Sequence, residues 1–121
     1  MRFKKAKIKL RDENTREAFS VDGYRMDLGL YNTWVDVVFG QIKQMKRFRD
    51  GGWGESGWTW TSNENDEHMV WLKDKKLSTL VHETNHLVNR ISKARGLSDD
   101  DRNEQQAYLQ TWLFNKIKEL K

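Results

Sequence analysis

No cysteine and no proline occur among the 121 residues. The first absence removes disulfides, thiolate metal ligands and a cysteine nucleophile together. The second means that every turn must be made with Gly, Asn, Asp or Ser. Long apolar runs are missing too. Nothing approaches the roughly 20 residues needed to cross a bilayer, and the opening MRFKKAKIKL is basic without the apolar stretch of a signal peptide. A cytoplasmic location and no membrane partner are therefore expected.

What is present describes a folded chain of modest size. Its length suits a single domain over residues 1–121. Hydrophobic residues make up 36% and charged residues 33%, yet six tryptophans, five phenylalanines and three tyrosines argue against disorder. The net charge of +4 leaves nucleic acid open without pointing to it. The lysines follow a strand pattern and the aromatics lie elsewhere, with no interleaved basic and aromatic stripe, so nucleic acid is not the expected partner.

The pattern of apolar residues changes period along the chain. KAKIKLR alternates, with Ala6, Ile8 and Leu10 on one side and lysines on the other, which reads as a half-buried strand. Its lysines suit a sheet edge. RDENTREAF is a polar break, and NTWVDVVFG, β-branched and aromatic, is a second strand. QIKQMKRFRD is a weak amphipathic helix, and GGWGESG is the main loop. WTWTS and EHMVWLK flank the turn NENDE as a hairpin. From about residue 76, Leu77, Leu80, Val81, Val88 and Ile91 fall at helical spacing, with Gly96 as a C-terminal cap. Ser98 and Asp101 form a capping box for a last helix carrying Ala107, Leu109, Leu113 and Ile117. The fold class is α+β: helices on one face of a small mixed or antiparallel sheet.

The chemistry sits in LVHETNH, residues 80–86. On a helix, His82 and His86 lie one turn apart on one face and can offer two imidazole nitrogens to a single ion. Glu83 is too close in sequence to join them comfortably, but it can reach a water bound to that ion. This is the general-base arrangement of H-E-x-x-H metallopeptidases. A third ligand is needed. Asn89 and Ser92 stand where the longer metzincin motif has its glycine and third histidine. His68 is the remaining histidine, and a lone strand histidine is more often simply exposed. Among the acids of SDDDRNEQQAYLQ, Asp99, Asp100 and Asp101 read as first-turn acids. Glu104 lies within the helix, where a ligand is held more rigidly, and is the one chosen. The spacing carries a difficulty. In a tight antiparallel hairpin, His86 and Glu104 would not be level.

TLVHETNHLV followed by NEQQAYL resembles the small gluzincin-type zinc metallopeptidases, notably short bacteriophage-encoded H-E-x-x-H proteins, and is similar to the ImmA/IrrE-type metallopeptidases. The resemblance covers about residues 66–117. It implies a zincin-like domain in which a small twisted sheet ends at the edge strand HMVWLK, followed by an active-site helix and a glutamate-bearing helix. It implies a Zn2+ cofactor held by His82, His86 and Glu104, with Glu83 as the base. Tyr108 is a candidate for steadying the oxyanion, for holding a ligand in place, or for plain packing beneath the zinc helix. Tryptophans 53, 58, 60 and 71 could line a groove, although alternating Trp58 and Trp60 more often pack within a sheet.

The expected activity is hydrolysis of a peptide or protein substrate. The chain is short for a two-lobed enzyme, so a shallow site is expected, completed by a host protein or a second copy if at all. A non-catalytic zinc module binding a host protein or nucleic acid is the rival reading. A zinc amidase acting on cell-wall peptide is a third.

Overall fold

The computed structural model describes residues 2–29, 33–49, 56–62, 67–94 and 99–120. Strands β1 (Lys4–Arg11), β2 (Ala18–Leu28) and β3 (Thr33–Phe39) come first, then helix α1 (Ile42–Phe48). Strands β4 (Gly57–Thr61) and β5 (Glu67–Leu72) follow, then helices α2 (Leu77–Ala94) and α3 (Asp99–Lys118). The sheet order is β1-β2-β3-β5-β4. The first three strands form an antiparallel meander, β5 runs parallel to β3, and β4 pairs antiparallel with β5 at the far edge. The architecture is α+β with a mixed sheet. Gly96, Ser98, the Asp101 side chain, Trp53 and most of the glycine-rich loop lie outside the described residues. Among those described, no helix is long and apolar enough to cross a membrane.

Both central strands are apolar on both sides, so both faces of the sheet need cover. On one face, Val35, Val37, Val70 and Leu72 pack with Leu80, Leu87 and Ile91 of α2 and Leu109, Leu113 and Ile117 of α3. On the other, Val38, Met69, Trp58 and Trp71 pack with Ile8, Leu10, Val21 and Met45 of α1. The expectation of helices on one face only is thus corrected: α1 closes the second face.

The parallel β3–β5 pairing corrects a second expectation. HMVWL is not the edge strand; it lies between β3 and β4, and β4 is the edge. His68, paired with Val35 on one side and Thr61 on the other, is consequently buried rather than exposed, at 1%. Its Nδ1 lies 3.0 Å from the Thr61 hydroxyl. Trp58 stacks on Trp71 at 5.8 Å, and Phe48 meets Trp60 edge-on at 5.5 Å. These described tryptophans pack in the core on this face of the sheet, and Trp58 also borders a cleft.

A partly buried ion pair ties the meander together, with Asp36 buried and Arg25 half-exposed. Arg25 on β2 and Asp36 on β3 are register partners, joined by two hydrogen bonds of 2.6 and 2.9 Å. Burial pushes the Asp36 carboxyl above its ordinary 3.8, and the Arg25 guanidinium pulls it back. Arg25→Ala strands this carboxylate and should cost roughly 1–3 kcal/mol near neutral pH. A carboxyl whose folded pKa is raised contributes stability below its unfolded pKa and loses it as pH rises through the folded one. The deficit of the variant should therefore shrink from about pH 7 toward about pH 4, as urea denaturation at the two pH values would show. A deficit that grows on acidification would contradict this.

Candidate metal and hydrolase site

Helix α2 turns a stripe of Leu80, Thr84, Leu87, Val88 and Ile91 into the core. Leu77 and Val81, expected in that stripe, are each 48% exposed. Leu87, which the reading of the stripe omitted, is fully buried. The effect is to centre the buried face between Leu80 and Leu87. Glu83 then falls at its inner margin, while His82 and His86 fall on the exposed side.

Glu83 is buried, with 5% exposure, against β4. The Thr59 hydroxyl lies 2.9 Å from Glu83 Oε1, to which it donates, and 3.2 Å from the Glu83 carbonyl. Helix and strand approach this closely because residue 57 is glycine. A Cβ there would stand 2.8 Å from the Trp71 carbonyl oxygen, 3.1 Å from Thr79 Cγ2 and 3.2 Å from Glu83 Cγ. The second carboxylate oxygen, Oε2, is 4.0 Å from His82 Nε2. One oxygen of Glu83 is held by the sheet and the other faces the histidines.

The two histidines converge. His82 Nε2 and His86 Nε2 are 3.1 Å apart, with their rings nearly perpendicular at 84°. In a neutral pair, one Nε2–H donates to the other nitrogen's lone pair. The same placement suits two ligands of one ion. With zinc about 2.05 Å from each nitrogen, a 3.1 Å separation corresponds to an angle of roughly 98° at the metal, close to tetrahedral. The pair therefore fits the group its motif implies.

These side chains border an open cleft of about 660 Å³. Thr59 and Glu83 belong to its lining, as do Trp58 and Arg49, with Arg90 one turn beyond His86 on α2. The Arg49 guanidinium lies over the Trp58 ring at 5.1 Å.

The remaining site candidates are placed apart from this group. Helix α3 runs antiparallel to α2: the Gln106 amide donates to Asn89 Oδ1, and Gln110 reaches the Val81 carbonyl at 3.5 Å. Glu104 precedes Gln106, so it lies toward the C-terminal end of α2, past the level of His86. Its side chain is exposed. Among the described residues, no three His, Asp or Glu side chains form a group that could hold a metal. Tyr108, one turn from Glu104, is 80% exposed and does not line the cleft. The alternative of a tyrosine packed beneath the zinc helix is thereby corrected.

Several residues of the cleft escaped the sequence reading, Arg49, Gly57, Thr59 and Arg90 among them. Arg90 was detectable, since it continues the spacing of four through 82, 86 and 90. Gly57 and Thr59 carried no signal, because they meet Glu83 only once β4 is set beside α2, and Arg49 reaches the cleft from the end of α1 over the Trp58 ring. No family model, curated protein or solved structure matches the chain.

Proposed function

We propose that the chain is a zinc-dependent peptide hydrolase with a shallow, open cleft, and that it is encoded by a bacteriophage. The observation that carries the activity is the convergence of His82 Nε2 and His86 Nε2 beside a buried, half-anchored Glu83. When bound there, zinc would supply Lewis-acid polarisation of a carbonyl and a lowered pKa for water.

The chain's own groups do the rest. Glu83 Oε2 takes the proton of the attacking water and returns it to the leaving amine, while Thr59 keeps Oε1 occupied and the carboxylate in one orientation. The outer edge of β4 offers backbone groups to an extended segment, which can add to the sheet as a further strand. Such a strand would run beside Thr59 and so past Glu83. In this reading Glu104, at the N-terminal part of α3, would be the third ligand together with His82 and His86.

The exposed position of Glu104 favours a second reading, in which the two histidines hold a metal without turnover and the chain acts as a binding module. Zinc per chain in untagged protein is the first test. Wild type should carry about one zinc and His86→Ala none, with affinity reduced about tenfold or more in Glu104→Ala. No zinc in wild type, even after the metal is added back, would end the hydrolase reading. Full zinc affinity in Glu104→Ala would remove Glu104 from the ligand set.

A further inference from the structure

Another large hollow lies toward the opposite end of the sheet and, among the described residues, shares no lining residue with the cleft. Strand alternation sets Lys5, Lys7 and Lys9 in a row on one face of the edge strand β1, about 6.6 Å apart. Their register partners on β2 are Tyr24, Asp22 and Ser20. Tyr24 in turn pairs with Val37, which brings Phe39, two residues further along the same face of β3, beside it. The two rings meet edge-on at 6.3 Å. Lys75, in the segment before α2, places its ammonium 5.2 Å from the Phe39 ring.

Lys5, Lys7, Asp22, Tyr24, Phe39 and Lys75 line a hollow of about 680 Å³, and none of its described lining residues belongs to α2 or α3. Among its described lining residues the one carboxylate, Asp22, pairs with Lys7. Lys5 and Lys75 therefore remain in excess at the hollow, and Lys9 extends the row. The wider surroundings have the same sign: residues 2–11, RFKKAKIKLR, contain no acid.

We infer that this face binds single-stranded nucleic acid. A row of cations at regular spacing along a strand matches a linear polyanion whose charges also recur along a line. The half-buried rings of Tyr24 and Phe39 at the end of that row offer a surface for a base to stack on, the combination by which sheet surfaces take up single strands without reading sequence. An acidic polypeptide would use the lysines but has no use for the rings, and a duplex hides its base faces. The sequence alone conceals the arrangement because the cations come from β1 and the rings from β2 and β3.

The test is fluorescence anisotropy of a labelled oligothymidylate of roughly twenty nucleotides with the full chain. Saturable binding is expected, falling with salt at a slope of about −2 in log–log form for about three phosphate contacts. The variant Lys5→Gln/Lys7→Gln/Lys75→Gln, all on the surface, should bind about tenfold more weakly at about 50 mM salt and show a flatter slope. Tyr24→Leu should weaken binding about fivefold with the slope unchanged, since stacking involves no counterion. Thermal melts confirm that each variant is folded. His82→Ala, at the other site, should bind like wild type, which keeps this inference separate from the hydrolase reading. Absence of binding at about 50 mM salt would overturn the proposal, as would equal affinity in the triple lysine variant. Displacement by polyglutamate, with no effect of Tyr24→Leu, would assign the face to an acidic protein instead.

Discussion

Glu83→Gln should retain zinc and lower the hydrolysis of an unstructured protein substrate by about 10²–10⁴-fold, the range a positioned general base contributes. The substitution is nearly isosteric. The glutamine carbonyl oxygen can still accept from Thr59, so the packing against Gly57 and β4 is kept. What disappears is the second oxygen's ability to take a proton, on the side that faces His82 at 4.0 Å. Zinc content, measured on the same preparation, separates this outcome from loss of the metal. Unchanged turnover with full zinc would show that Glu83 is held in the core for packing alone. A companion change, Thr59→Val, removes the hydroxyl that fixes Oε1 but leaves the carboxylate. It should reduce kcat by about tenfold with little change in KM, since orientation and not proton affinity is lost.

How much of this was legible in the sequence varies by element, and the differences have physical causes. Strand β1 was plain because it is an edge with one wet face, so apolar residues alternate strictly. Strand β2 was missed although it is the longest. Its start packs Phe19 and Val21 toward α1, while its end packs Met26 and Leu28 toward α2 and α3. The period of two therefore changes phase near Asp22 and Gly23, and no single alternation runs through it. The hairpin of β4 and β5 was readable from local pattern. Its place in the sheet was not, because a parallel pairing across α1 is a non-local contact that leaves no trace in spacing. The burial of His68 follows from that pairing and was hidden with it.

The site divides in the same way. His82, Glu83 and His86 belong to one helix, and helical geometry alone determines that two of them share a face. Their surroundings, Thr59 and Gly57, come from a strand some two dozen residues earlier. Glu104 depends on the stagger of two helices joined by a linker, and sequence spacing carries no information about stagger. The antiparallel contacts at Gln106 and Gln110 bear out the concern that the two helices would not bring Glu104 level with His86.

Trp71→Ala should be the most damaging single change to stability, at about 3–5 kcal/mol. Trp71 is fully buried in β5. It stacks on Trp58, its register partner across the β4 pairing, and its indole N–H donates to the Gly40 carbonyl at 2.6 Å. Removing the ring opens a large cavity and strands that carbonyl. A domain of this size has about 5–15 kcal/mol in hand, so the urea midpoint should fall by about 2 M. Tyr108→Ala supplies the contrast. At 80% exposure it should leave stability within about 0.5 kcal/mol of wild type, so any change in turnover there would be chemical. The two sites of damage also connect. Strand β4 is held to β5 partly through the two tryptophans, and the same strand carries Thr59 to Glu83. Trp71→Ala should therefore lose hydrolysis at temperatures where α2, followed by helical circular dichroism, remains folded. Loss of activity and of helix in a single step would mean instead that the edge strand and α2 unfold as one unit.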